Sequence, residues 1–503
     1  MSFTGSLSEI VEENRNGLLG VAPGWERVPL GRVASILNGF PFESRHFNRD
    51  AGLPLIRIRD VLAGETATLY AGEYEPSFLV DAGDLLIGMD GDFNCALWRG
   101  RRALLNQRVC RVDPEEEFYS RKFLSYVLPG YLGAINAHTS SVTVKHLSSR
   151  TVSEILLPLP PRREQDRIVA VIDAHVSRLD SAREGLRRVQ RNLKRYRVVV
   201  LRAACEGRLV PAEAELAAQE GRDYESADVL LSRTLDERLG IEGRARDRGR
   251  PRRSISRLPE GWTGAVLADI AELKGGITKG QKRRPGDVTR LVPYLRVANV
   301  QRGYLNLSEV KEIEAKDSVI EELRLTPGDV LFNEGGDRDK LGRGWVWQGE
   351  IKECIHQNHV FRARVIAGVL HPKFLSWYGN SLAKEYFTEQ GKQTTNLASI
   401  SLTKLGALPV PIPPRAEQER IVAEVERRLS ALDVLEAAVE KDLRRAERLR
   451  QSILKRAFEG KLVPQDPDDE PASALLERIR ASGAEQKPSK PRRGRRTAGT
   501  AAD

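Results

Sequence analysis

A chain of 503 residues is longer than one hydrophobic core supports, so three or more structural units are expected. Its four cysteines, Cys95, Cys110, Cys205 and Cys354, lack paired spacing, which excludes a disulfide framework and a zinc site. No run approaches the roughly 18 apolar residues of a membrane helix, and Glu9, Glu12 and Glu13 stand where a signal peptide would be apolar, so a soluble, cytoplasmic protein is expected.

Residues 1–20 read as an amphipathic helix with a capping-box start, Ser6-x-x-Glu9. From Gly24-Trp25 to residue 159 the pattern turns to short strand-like pieces such as Leu53 to Arg59 and Asp84 to Met89, broken by one helix around Arg121 to Ala137. This is an α+β domain over 21–159.

Residues 160–211 then repeat at 413–464 with a constant offset of 253 and 22 identities in 52 positions. A repeat this regular sets the architecture. Each copy reads as a helix of some 43 residues, started by Pro161 or Pro414 and stopped by Gly207 or Gly460. In the first copy Ile168, Ile172, His175, Leu179, Ala182, Leu186, Val189, Leu193, Tyr196 and Val200 form a heptad seam. In the second the matching positions include Ile421, Val425, Leu432, Leu435, Val439 and Leu449, with Arg428 and Asp442 as polar members. Two such helices in one chain are expected to pack together, with His175 and Arg428 setting register.

After the first helix, 212–257 reads as a short helix (Ala227 to Leu239) and a basic linker. Residues 258–412 repeat the α+β domain with an offset that slides from 237 at Gly261-Trp262 towards 253, so the loops differ while the frame is retained. Residues 465–503 read as a short helix around Leu475-Leu476 and, from 481, a disordered basic tail.

The net charge of +10 is carried mainly by the two repeats, with 13 basic and 6 acidic residues in Arg162 to Arg208 and 12 and 10 in Arg415 to Lys461. The Arg-rich outer face of the first helix is a candidate docking or phosphate surface. No catalytic constellation is present: Gly391-Lys392-Gln393-Thr394 is not a phosphate loop, and no N/D-P-P-Y/F signature of amino-methyltransferases occurs. His356 and His359 lack metal-ligand spacing, and Asp84, Asp90, Asp92, Asp329, Glu334 and Asp337 read as turn residues. Residues of the kind that read base edges recur at matched places. They are Arg57, Asn106, Gln107, Arg108, Ser140, Thr143 and Lys145 in the first domain. In the second they are Arg296, Arg338, Lys340, Arg343, Gln357, Asn358, Thr394, Thr395 and Asn396.

The P-P-x-x-E-Q-x-R-I-V segments at Pro160 and Pro413, the G-[KR]-L-V-P segments at Gly207 and Gly460, and Leu295 to Val300 (L-R-V-A-N-V) resemble the specificity subunits of type I restriction–modification systems. The domain–helix–domain–helix order extends that resemblance over nearly the whole chain. It implies two target-recognition domains, each reading half of a split, asymmetric site on double-stranded DNA. It further implies an antiparallel coiled coil that spaces them, two docked methyltransferase subunits, and motor–nuclease restriction subunits that join for cleavage. The chain itself would be non-catalytic and bind no cofactor, while its partners use S-adenosylmethionine, ATP and magnesium. The alternatives are a coiled-coil scaffold that never reads DNA, or a specificity subunit of a related type II or orphan methyltransferase system.

Overall fold

In a computed structural model of the chain, residues 7–13, 17–139, 145–242, 255, 258–280, 288–336, 341–393 and 398–485 are described. They divide into two compact units, Met1–Leu186 with Lys441–Asp503, and Arg187–Glu440. Each unit holds one α+β domain, the first part of one long helix and the last part of the other.

In the first domain a four-stranded sheet has the order β1 (Ala34–Asn38), β5 (Val109–Pro114), β3 (Leu85–Gly88) and then Cys95–Leu97, all antiparallel. Beside it, β2 (Leu53–Ile56) runs parallel to β4 (Ala103–Leu105). Helix α1 (Arg121–His138) begins at Ser120, whose hydroxyl accepts from the Phe123 amide, and buries Phe123, Leu124, Val127, Leu128 and Tyr131. The second domain repeats the plan, with helix α3 (Pro372–Asn380) in the place of α1. Its four-stranded sheet is β6 (Ala271–Lys274), β10 (Val360–Val365), β8 (Val330–Asn333) and Gly344–Val346, and β7 (Arg290–Leu295) runs parallel to β9 (Ile355–His356).

The long helices are α2 (Arg162–Cys205) and α4 (Arg415–Phe458), each of 44 residues and so about 66 Å long at 1.5 Å per residue. Their identical Glu-Gln pairs bolt each helix start to its own domain. Gln165 is fully buried, donates to the carbonyls of Phe118 and Pro160 at 3.0 and 3.1 Å, and accepts from the Ser120 amide at 2.8 Å. Gln418 repeats this with Val369, Pro413 and His371 at 2.9, 2.9 and 2.8 Å. At the far ends Gly207 and Gly460 adopt φ of 69° and 67°, and the next amides, of Arg208 and Lys461, return to the carbonyls of Ala203 and Arg456.

The helices run antiparallel, because Arg183 meets Glu447 while Arg197, further along α2, meets Glu436, earlier on α4. The seam differs from the heptad expected. Ile168, Ile172, Ile421, Val425, Leu432 and Val439 are buried and Leu179, Leu186 and Leu193 half-buried, but Leu435 and Leu449 are exposed at 51% and 46%. Val189 and Tyr196 also face solvent, as does His175. The alternate inward positions lie one residue later, at Val176, Arg183, Gln190 and Arg197 on α2 and Leu429, Glu436, Leu443 and Arg450 on α4. An apolar count rejects arginine and glutamate there. Packed side by side, however, the helices bury aliphatic stems while the charged heads reach each other, as in Arg183–Glu447 at 3.4 Å and Arg197–Glu436 at 3.3 Å.

Three boundaries also differ. The N-terminal helix spans only Leu7–Glu13, and Gly17 already stands at φ 66°. A helix at Glu213–Glu220 precedes that at Ala227–Glu242; its first residue, Glu213, ion-pairs with Arg420 and donates its amide to Glu417 at 2.9 Å. The last helix, Ala472–Glu485, runs into the segment expected to be tail, because Leu475 and Ile479 are buried in the core of their unit. Residues 486–503 and most of the 240–257 linker lie outside the described residues.

Candidate nucleic-acid interface

Strand direction gathers the candidate residues of each domain at one corner. Because β5 is antiparallel to both β1 and β3, the ends of β1 and β3 and the start of β5 share a sheet edge. The parallel pairing of Ile56 with Leu105 brings Arg57 and Asn106 out beside one another. There the turn Asn106-Gln107-Arg108 is held from both sides. The Phe40 amide donates to the Leu105 carbonyl at 2.9 Å, the Gln107 amide donates to the Phe40 carbonyl at 2.8 Å, and the Met89 amide donates to the Arg108 carbonyl at 2.8 Å. The Leu147 amide in turn donates to the Met89 carbonyl at 2.6 Å, so the segment carrying Lys145 and His146 joins the same corner.

The second domain builds the same lattice with other side chains. Ile277 donates to His356 at 2.8 Å, Asn358 donates to Ile277 at 3.0 Å, Glu334 donates to His359 at 2.9 Å and Ile400 donates to Glu334 at 2.8 Å, all through backbone groups. Leu295 pairs in parallel with His356, which sets Arg296 beside Gln357 as Arg57 is set beside Asn106. Both arginines open a matching turn, the Arg57 amide donating to Asp60 at 3.0 Å and the Arg296 amide to Asn299 at 2.9 Å. A glycine admits each close approach. A Cβ on Gly39 would lie 2.0 Å from the Asn106 carbonyl oxygen, and one on Gly276 would lie 1.9 Å from that of His356.

The side chains divide into those occupied within the fold and those facing out. Asn106 is 8% exposed and its side-chain oxygen accepts from the Gln107 amide, so it shapes the turn. Lys145 donates to the carbonyl and side-chain oxygens of Asn136 at 2.7 and 2.9 Å, closing the end of α1. The Arg57 guanidinium donates to Thr68, and that of Arg296 lies 3.5 Å from Glu309. Gln107 and Arg108 are exposed, whereas Gln357 and Asn358 are half-buried. Arg108, at φ 72°, stands 3.2 Å from His146 and 3.6 Å from Asp90, and His146 is 2.5 Å from Asp90. The matched His359 is exposed and lies 2.5 Å from Glu334. Arg343 is half-buried just before the strand paired with β8, its Nε without a hydrogen-bond partner among the described residues.

Ser140, Thr143, Arg338, Lys340, Thr394, Thr395 and Asn396 lie outside the described residues. Their flanks are described: Lys145 and His146 sit at the first corner, and Gly335–Gly336 and Lys392–Gln393 pair with Ala398–Ser399 at the second. Phe40, Met89 and His146 escaped the reading of single loops, and Asp90 reads there only as a turn residue, because they come from three separate stretches of the chain. The signal that finds them is Gly39 matching Gly276 at the offset of 237.

His356, Asp84 and Asp329 serve the fold, and Asp337 lies outside the described residues. His356 is fully buried and donates Nδ1–H to the Val360 carbonyl at 2.6 Å, and burial pulls its pKa down to about 4. Asp329 accepts from Arg364 and from the Thr326 amide, and Asp84 from the Asp81 amide, as turn residues do. Among the described residues no cluster of His, Cys, Asp and Glu could hold a metal ion, and no helix is long and apolar enough to cross a membrane.

Two α+β domains with one backbone plan and unlike exposed side chains, each bolted to a long helix, define a duplicated recognition protein with no catalytic constellation among the described residues. The chain matches the type I restriction modification DNA specificity domain over residues 23–189 and 259–443, which is most of its length, and it belongs to that family. It is 35% identical over 501 residues to the type I restriction enzyme EcoBI specificity subunit of Escherichia coli, covering 96% of this chain and 98% of that one. With the EcoKI specificity subunit of Escherichia coli strain K12 it shares 23% identity over 490 residues, 92% of this chain and 96% of the other. A solved structure described under complex assembly and conformational transition of the type I R-M system has the same fold. Its TM-score is 0.56 at 20% identity, over 88% of this chain and 99% of that one. The protein is accordingly a DNA sequence-recognition subunit of a type I restriction–modification system.

Proposed function

We propose that the two matched corners are the DNA-reading surfaces, the first domain reading one half of a bipartite asymmetric site and the second domain the other. One observation carries this: an identical backbone lattice presents Gln107 and Arg108 in one domain and Asn358 and His359 in the other. Amides and guanidiniums at base edges discriminate sequence, and a shared scaffold with exchanged reading groups serves two different half-sites. Arg57, Arg296, Lys145 and Arg343 shape or flank the corners. In this reading Ser140, Thr143, Arg338, Lys340, Thr394, Thr395 and Asn396 supply further base or phosphate contacts.

The chain is a non-catalytic, cytoplasmic subunit in this reading. Its helix pair spaces the half-sites and docks two methyltransferase subunits, which use S-adenosylmethionine; restriction subunits using ATP and magnesium join for cleavage. Exposed Val189, Tyr196 and Leu435 and the Arg-rich outer face of α2 supply apolar and cationic docking area. The test is single-molecule methylation sequencing of DNA from cells carrying this chain and its methyltransferase partner. A split, asymmetric motif is expected, and exchanging the 21–159 segment for that of a relative should change one half of it alone. A motif that is continuous, or that changes in both halves, would overturn the assignment.

A further inference from the structure

Among the described residues of the first corner, Phe40 is the one whose outward side is purely apolar. The residue is 41% exposed, whereas Ile277, at the same lattice point of the second domain, is 8% exposed. An isolated aromatic on a surface means little. Phe40 differs because its backbone is pinned on both sides, to Leu105 and to Gln107, and because Gly39 leaves no room to shift. Its ring is braced from behind by Phe42 at 5.1 Å and Phe78 at 5.2 Å, and Phe42 and Tyr70 at 5% and 6% exposure close the cluster beneath. Little side-chain entropy remains to be lost on contact. The Phe40 carbonyl accepts from the backbone amide of Gln107, so the ring and an exposed side-chain amide able to pair with an adenine edge come from adjoining points of the corner.

We infer that Phe40 is a specificity-determining residue of the first domain, its ring pressing on the C5-methyl of a thymine in the major groove next to the base pair that Gln107 reads. A thymine methyl is the apolar mark of that groove, and an uncharged ring gains nothing from phosphates. The second domain, with Ile277 turned inward, lacks this contact. The inference rests on the corners being the DNA-reading surfaces.

The experiment uses the full chain with its methyltransferase partner in variants Phe40→Ala, Phe40→Leu and Gln107→Ala, reading the methylated motif by sequencing and the fold by thermal melting. Phe40→Ala is expected to relax one thymine-containing position of the first half-site and to leave the second half and the gap unchanged. In binding assays, replacing that thymine by deoxyuridine, which lacks the methyl, should weaken the wild-type complex about fourfold and the Phe40→Ala complex hardly at all. An unchanged motif in a folded Phe40→Ala protein overturns the inference, as does relaxation at a G·C pair or in both halves. If Gln107→Ala alters the first half-site while Phe40→Ala does not, only the role of Phe40 falls. If neither variant alters it, the reading corner falls with it. Should Phe40→Ala fail to fold, Phe40→Leu, which keeps the buried contacts, carries the same comparison.

Discussion

The Trp25 indole donates to the Glu164 carboxylate at 3.0 Å, and 237 residues further along the chain Trp262 donates to Glu417 at 2.9 Å. Each bond ties the start of a domain to the first turn of the long helix leaving it. The copies differ at the other carboxylate oxygen: that of Glu417 accepts from the Glu213 amide at 2.9 Å, whereas Oε1 of Glu164 is buried without a hydrogen-bond partner among the described residues.

A Gln swap should separate the two clamps. Glu164→Gln keeps an acceptor for Trp25 and removes a buried charge, so stability at pH 7 is expected to stay within about 1 kcal/mol of the parent. Glu417→Gln turns an NH2 towards the Glu213 amide and should cost about 1–3 kcal/mol. Burial raises the pKa of both carboxyls, so the folded state holds their protons more tightly than the unfolded chain. Their contribution is therefore fully present below the ordinary glutamate pKa and lost as pH rises through the raised value. Melting curves across pH 4 to 8 check this, and equal losses for both Gln variants would contradict it.

The displaced seam gives a second comparison. Leu432→Ala empties a buried position and should cost about 2–5 kcal/mol, while Leu435→Ala and Leu449→Ala should stay within about 0.5 kcal/mol. Denaturant unfolding distinguishes this seam from the simple heptad, which ranks all three alike. If methyltransferase subunits dock on the exposed flank, Leu435→Ala should weaken their co-purification without moving the melting temperature.

Gly39→Ala and Gly276→Ala test the corners separately. Each added methyl meets a carbonyl oxygen at about 2 Å, closer than any real contact, so the turn must move. Gly39→Ala is expected to impair reading of the first half-site and Gly276→Ala the second, each seen as a one-sided change in the methylated motif. An efficient, unchanged motif in either variant would show that the corner plays no part.

Removing residues 187–193 and 437–443 deletes one heptad from each long helix, about 10 Å, or about three base pairs of duplex. The gap between half-sites should shorten accordingly while both half-sites stay the same. Methylation mapping that returns the original gap would refute a spacing role for the helices.

Local signals explain what could be read without the fold. The duplication, the α+β character, the two long helices and their ends depend on periodicity, prolines and glycines that act within a few residues, and the Glu-Gln pairs stood out because both copies keep the same buried bolt. The seam could not be read in full, since an apolar count cannot tell a solvated arginine from one whose stem is buried and whose head meets a carboxylate across the interface, as Arg183 and Arg197 do. The short helix at Glu213–Glu220 was missed for a similar reason: its anchor is Arg420, some two hundred residues away.

The feature that matters most for recognition is non-local in the same way. The amino-acid sequence by itself determined which polar triplets recur, Asn106-Gln107-Arg108 and Gln357-Asn358-His359, and that they lie before equivalent strands. Tertiary structure decided which side chains of each triplet face outwards and which of them the fold already occupies. It also decided that Gly39-Phe40, Met89 and the His146 segment meet the first triplet, and that Gly276-Ile277, Glu334 and the Ile400 segment meet the second. The physical reason is that each corner is closed by backbone hydrogen bonds between segments about 20 to 80 residues apart, a pairing set by sheet order and parallel register rather than by any neighbouring residue.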